Sequence, residues 1–143
     1  MKWFSVVFGM VLAVAVIAVL LLIFGVKFEN PGSVQGAALY DPNTEITVTG
    51  KVDQISDFAC PVSEGEIGSH VVLKTADRTY VVHLLPSRIM RSQKIVFTPG
   101  EQLQVIGSQP PRMERNTIIA REVVRGSETL VFRDHQGNVM MKQ

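Results

Sequence analysis

Residues 45–58 read Glu-Ile-Thr-Val-Thr-Gly-Lys-Val-Asp-Gln-Ile-Ser-Asp-Phe. On an extended chain Ile46, Val48, Gly50 and Val52 fall on one side, and Thr47, Thr49, Lys51 and Asp53 on the other. Alternation of apolar and polar side chains at period two marks a half-buried strand. Gly50, in its middle, predicts a bulge or a sharp bend.

A Gly/Ser/Pro-containing loop runs from Cys60 to Gly68. Two β-rich runs follow, Ser69 to Thr75 and Thr79 to Leu85. Only Ala76-Asp77-Arg78 separates them, which predicts a tight hairpin. Pro86 to Ile95 changes texture: Ser87 is placed to cap, and Ile89 and Met90 to bury one face, of a helix of two to three turns. Thr98-Pro99-Gly100 turns the chain into a strand over Glu101 to Ser108, which Gln109-Pro110-Pro111 ends. Asn116 to Val124 is a further strand. Thr129 to Arg133 and Asn138 to Met141 predict a last hairpin around Asp134-His135-Gln136-Gly137.

The fold class expected is therefore mainly β: a five-stranded barrel with one short helix, which disposes of sheet edges in a short chain. The order strand-strand-strand-helix-strand-strand, with a glycine in a long first strand, resembles the OB-fold. Tyr-Asp-Pro-Asn-Thr-Glu-Ile-Thr-Val-Thr-Gly-Lys-Val at 40–52, Gly-Ser-His-Val-Val-Leu-Lys-Thr at 68–75, Val-His-Leu at 82–84 and Ile-Ala-Arg-Glu-Val at 119–123 are similar to small bacterial exported, membrane-anchored OB-fold proteins. That resemblance implies the fold and a bacterial source. It implies no particular activity, because OB-folds host many ligands.

Upstream of the barrel, Trp3 to Val26 carry no charge and are mostly Val, Ala, Leu, Ile and Phe. As a helix this run spans roughly 36 Å, enough to cross a bilayer with some tilt. A cleaved signal peptide has an apolar core of only about 7–15 residues. The small-residue site Gly36-Ala37-Ala38 is far from the run, with Lys27, Phe28 and Glu29 between. Residues 1–26 are read as an uncleaved transmembrane signal anchor, 27–43 as a linker rich in Pro and Gly, and 44–143 as the barrel with its C-terminal ribbon. Lys2 and the amino terminus outweigh Lys27 under the positive-inside rule. The expected location is the inner, cytoplasmic membrane, single-pass, with the domain on the extracytoplasmic side.

Lys and Arg total 14 and Asp and Glu 13, for a formal net charge of +1 in 143 residues. From Asp41 onward the two signs are equal, twelve each. A neutral domain argues against a nucleic-acid partner and against a polybasic membrane patch. OB-folds that bind nucleic acid also need aromatic platforms and cations on the binding face. Tyr80 falls on the expected core face, Lys74 is alone on the other, and Arg112, Arg115, Arg121, Arg125 and Arg133 interleave with Glu114, Glu122, Glu128 and Asp134 as on a solvated strand surface.

The chain has one cysteine, Cys60, so no intrachain disulfide forms. Buried apolar filler, a site of intermolecular pairing and a metal ligand are the three readings of that thiol. Of the three histidines, His70 and His83 lie in the two hairpin strands. With a two-residue loop, Ala76-Asp77 or Asp77-Arg78, opposed residue numbers sum to 153 or 155. Both registers put the two imidazoles on one face, directly opposed in the first and diagonal in the second. A three-residue loop without a bulge separates them.

Their face also carries Val72, Lys74, Val81 and Leu85. The opposite one, with Val71, Leu73, Thr75, Tyr80, Val82 and Leu84, is more apolar and is expected to be the core. The histidines are thus expected on the outer side, where OB-folds bind ligands, with Cys60 approaching from its loop. His70, His83 and Cys60 make a donor set suited to zinc, copper or haem, although their spacing matches no named metal motif. Met113, Met140 and Met141 are read as packing residues more than as soft ligands.

A one-helix anchor with an exported OB-like domain and a histidine, His135, beyond the last barrel strand resembles the haem chaperones of cytochrome c maturation, which carry His-Asp-Glu-x-Tyr at that place. Here Gln136, Gly137, Asn138 and Val139 follow, and the tyrosine is missing. No Gly-x-Ser-x-Gly elbow, P-loop or Gly-x-Gly-x-x-Gly occurs. The expectation is a tethered binding or accessory module and not an enzyme, with no catalytic residues and no obligatory cofactor. Its partner would be a protein or a small envelope ligand on the barrel face. The alternative is a metal- or haem-handling protein.

Overall fold

A computed structural model describes residues 38–141. The expected anchor, 1–26, and most of the expected linker, 27–43, lie outside them. Among the described residues no helix is long and apolar enough to cross a membrane.

Strand β1 (Glu45–Ala59) is long enough to serve two partners. Glu45 to Lys51 pair antiparallel with β4 (Gln102–Ser108), and Lys51 to Ala59 with β2 (Ile67–Lys74). The handover falls at Gly50. A Cβ there would collide with the carbonyl oxygen of Lys74 and lie 2.9 Å from its carbonyl carbon. The glycine therefore marks a close backbone approach at a bend, and the bulge lies just beyond it, between Val52 and Gln54.

β3 (Thr79–Pro86) pairs antiparallel with β2 and leads into helix α1 (Ser87–Ser92). β5 (Thr117–Arg125) pairs antiparallel with β4, and β6 (Glu128–Val131) with β5. The sheet order is β3-β2-β1-β4-β5-β6, and β3 also pairs in parallel with β5, Val81 to His83 against Thr117 to Ile119. Five strands thereby close into a ring and leave few unpaired edges.

The C-terminal expectation is corrected. Of Thr129 to Arg133, expected opposite Asn138 to Met141, residues 129–131 lie instead in β6. That strand pairs with Glu122 to Arg125, the part of the β5 edge that β3 does not reach, through a turn in which Gly126 has φ 57°. The expected turn at Asp134-His135-Gln136-Gly137 is kept at the end of a shorter ribbon, with a bridge of Arg133 to Val139 and hydrogen bonds from Asp134 N to Asn138 O and from Met140 N to Phe132 O, 3.0 Å each.

Val71, Leu73, Val82, Leu84, Leu103, Val105, Ile118 and Ala120 alternate along four strands and form one buried cluster. Ile89 and Met90 of α1 join it, with Ile95, Phe97 and Phe132. Each large apolar side chain so buried contributes roughly 1.5–3 kcal/mol. Tyr80 lies there, on the expected face. Leu85 does not follow the alternation: it is fully buried in the same cluster, because the β2–β3 register skips between Gly68 and His70. The helix is also shorter than expected. Pro86 takes the N-cap position without a capping side chain, and Ser87 instead sits 3.0 Å from the hydroxyl of Ser69.

Gly50→Ala is expected to cost about 1–3 kcal/mol through that backbone collision. Urea unfolding of the two chains, with a lower midpoint at unchanged slope, checks it.

Candidate metal centre

Thr75 N–H donates to Arg78 O at 2.9 Å, which closes the β2–β3 hairpin around Ala76-Asp77. That selects the register in which opposed numbers sum to 153, and His70 stands directly opposite His83. The row continues to both sides, with Ser56 of β1 beside His70 and Ile119 of β5 beside His83. These side chains point away from the main core, as Ile118 and Ala120 point into it.

The outer face is not open. His70 is 1% exposed and His83 6%. The chain leaving β1 folds back over them. Cys60 O accepts hydrogen bonds from Ser63 N and Gly65 N at 3.1 Å each, and Glu64 and Gly65 adopt positive φ to complete the turn. Cys60, Val62, Tyr40 and Ile119 then pack into a second buried cluster, with Leu39 and Met113 at its margin. The Phe58 ring stacks on His70 at 3.6 Å between centroids, 6° from parallel, and meets His83 edge-on at 6.4 Å. A side chain at Gly68 would collide with the Ser63 hydroxyl and come within 3.1 Å of Cys60 Sγ and 3.3 Å of His70 Cε1. Glycine at 68 is what lets the turn settle onto the histidines.

His70 Nε2 and His83 Nδ1 are 2.9 Å apart and share a hydrogen bond. One ligand atom from each of Cys60, His70 and His83 lies within 4.8 Å of the others. Cys60 Sγ contacts Ser63 Oγ at 3.6 Å. His70 Nδ1 is buried without a hydrogen-bond partner. All three residues named from the sequence are brought together.

Burial sets the charge state. It lowers the His70 pKa, against an opposing pull from backbone groups of Ser56 and Gly68 and from the Asp57 carboxylate. Burial also pushes His83 down to about 4, helped by repulsion from His70 and Arg133. Both imidazoles are neutral at pH 7, as metal ligands must be.

Arg133 was expected on a solvated surface and is instead 2% exposed. Its Nη1 donates to Ala120 O at 2.6 Å, and its Nη2 has no partner. Burial lowers its pKa to about 10, so the guanidinium stays charged at pH 7. No ion pair joins it among the described residues. Nothing in the sequence separates it from the other arginines of its segment. Arg121, of the same group, pairs with Glu45 through Nε at 2.6 Å and Nη2 at 3.2 Å, and Tyr40 donates to the same carboxylate. His135 is exposed in its turn.

The sequence profile of the MamS/MamX magnetosome protein family matches residues 44–130. The chain belongs to that family. The match to MamS/MamX runs from the start of β1 into β6 and takes in Cys60, His70 and His83, while Arg133 lies just beyond it. No curated protein sequence matches the chain.

Two neutral buried histidines make stability depend on pH. Between the unfolded value near 6.5 and about 4, the unfolded chain takes up protons that folded His83 refuses. Stability is full above pH 6.5, falls as pH drops toward 4 and levels off below, with a loss of about 3 kcal/mol from His83. Urea midpoints from pH 7 to 4 check this, and His83→Gln is expected to flatten the slope.

Proposed function

We propose that the protein is a membrane-tethered accessory module of the magnetosome that binds one metal ion at Cys60, His70 and His83. The observation that carries the reading is the convergence of three buried donors, two neutral imidazoles and a thiol, within 4.8 Å. Two histidines on a sheet are usually surface, whereas these are enclosed. Binding an ion parts the two nitrogens from 2.9 Å to about 3.3 Å and releases their shared hydrogen bond.

The donors suit an ion better than haem. A porphyrin would have to slide between imidazoles that are hydrogen-bonded to each other under Phe58. The closed five-strand ring with α1 between β3 and β4 supports an OB-type barrel as scaffold. The uncharged run at residues 3–26 supports a single-pass anchor, with the barrel on the extracytoplasmic side of the inner membrane. The module binds and presents and is not an enzyme. Its partners are the membrane and a protein or small envelope ligand, not nucleic acid.

The test is elemental analysis, with an optical spectrum, of the full chain in detergent, made without a histidine tag and directed outside the cytoplasm. One equivalent of metal per chain is expected. His70→Ala with His83→Ala should abolish it, and Cys60→Ser should weaken affinity at least 100-fold. A chain that stays metal-free after challenge with zinc and with copper contradicts the reading.

A further inference from the structure

We propose that this centre is built for a monovalent soft cation, copper(I), and that Arg133 is the residue that turns divalent ions away. The inference rests on the metal-binding reading and names its ion. The first argument is donor number. Among the described residues the cluster offers Cys60, His70 and His83; Phe58, Val62 and Ile119 around it cannot ligate, and the Met113 thioether and the Ser63 hydroxyl lie at its margin. Structural zinc takes four protein ligands, and zinc held by three keeps a water in the fourth position. Thiolate and thioether donors suit copper(I) as well as zinc, and copper(I) accepts three ligands without a water.

The second argument is charge. When an ion binds, Cys60 loses its thiol proton to solvent and both imidazoles stay neutral. A monovalent ion with one thiolate is then neutral, and a divalent ion leaves one positive charge in the site. Arg133 is held beside it. Its Nη1 bond to Ala120 O fixes it next to Ile119, which is opposite His83 in the β3–β5 ladder and packs in the cluster with Cys60. The guanidinium is buried, one terminal nitrogen is unpaired, and no carboxylate offsets it among the described residues. The depression of His83 by Arg133 is consistent with that proximity. A second buried positive charge is repelled in this low-dielectric surrounding, whereas a neutral complex is not.

Affinities of the full chain in detergent for Ag(I), a redox-inert stand-in for copper(I), and for Zn(II) are measured by competition with chelators, in the wild type, Arg133→Met and Arg133→Lys. Removing the charge in Arg133→Met is expected to tighten Zn(II) at least tenfold and to leave Ag(I) within about threefold. Arg133→Lys, which keeps the charge, is expected to behave as wild type. Parallel loss of both ions in Arg133→Met, with its circular dichroism intact, would mean a merely structural role and overturns the proposal. So does unchanged Zn(II) affinity. Should Arg133→Met not fold, the wild type decides: displacement of one equivalent of Ag(I) by a hundredfold excess of Zn(II) overturns the proposal, and retention upholds it. Binding of neither ion sinks the metal-binding reading itself, and preference for Zn(II) sinks the copper(I) inference alone.

Discussion

A two-residue turn at Ala76-Asp77 fixes the register of β2 against β3, and the candidate site depends on it. A slip of one residue would move His70 to the core face while His83 stayed outside. The same register puts Val71, Leu73, Val82 and Leu84 inward, so the apolar core and the histidine pair are specified by one set of backbone hydrogen bonds. Closure of the ring through β3 and β5 then brings Ile119 alongside His83, which turns an outer sheet face into the floor of a second buried cluster. Fold and site are thus one constraint seen from the two faces of the same hairpin.

Much of this was legible in the sequence. Alternation found β1 and the hairpin, turn residues found the breaks, and the arithmetic of a short loop put His70 and His83 on one face, opposed or diagonal, between which the structure chooses the opposed register. What alternation cannot see is closure. It put Leu85 with the histidines, because a register skip at Gly68 lies outside a strict period of two. It gave residues 129–133 a local partner at 138–141, which holds for Phe132 and Arg133, while β5 offered 129–131 a longer free edge. It read Arg133 as one of several mixed surface charges, since nothing local marks an arginine that the C-terminal segment carries under cover. The enclosure of the histidines was also invisible. It depends on Phe58, on the positive-φ turn at Glu64-Gly65 and on the missing side chain at Gly68, none of which forms a recognised metal motif.

The energetic character of the site follows from burial. Two imidazoles, a thiol and a guanidinium taken from water are destabilising unless each finds a partner. The histidines find one another, Cys60 finds Ser63, and Arg133 finds one carbonyl. What is left over, one imidazole nitrogen and one guanidinium nitrogen, lies in and beside the same cluster. An ordinary apolar packing would have filled this face with side chains like Ile119 and Val62. The polar cluster retained there is what the proposed metal site is built from, in a chain that belongs to the MamS/MamX magnetosome family.

The central claim is that Cys60, His70 and His83 converge on one ion. X-ray absorption on the metal-loaded full chain tests it most directly. The account predicts one sulfur at about 2.3 Å and two imidazole nitrogens at about 2.0 Å from the metal. A shell of oxygen donors without sulfur, or without the outer-shell scattering of imidazole rings, would contradict it.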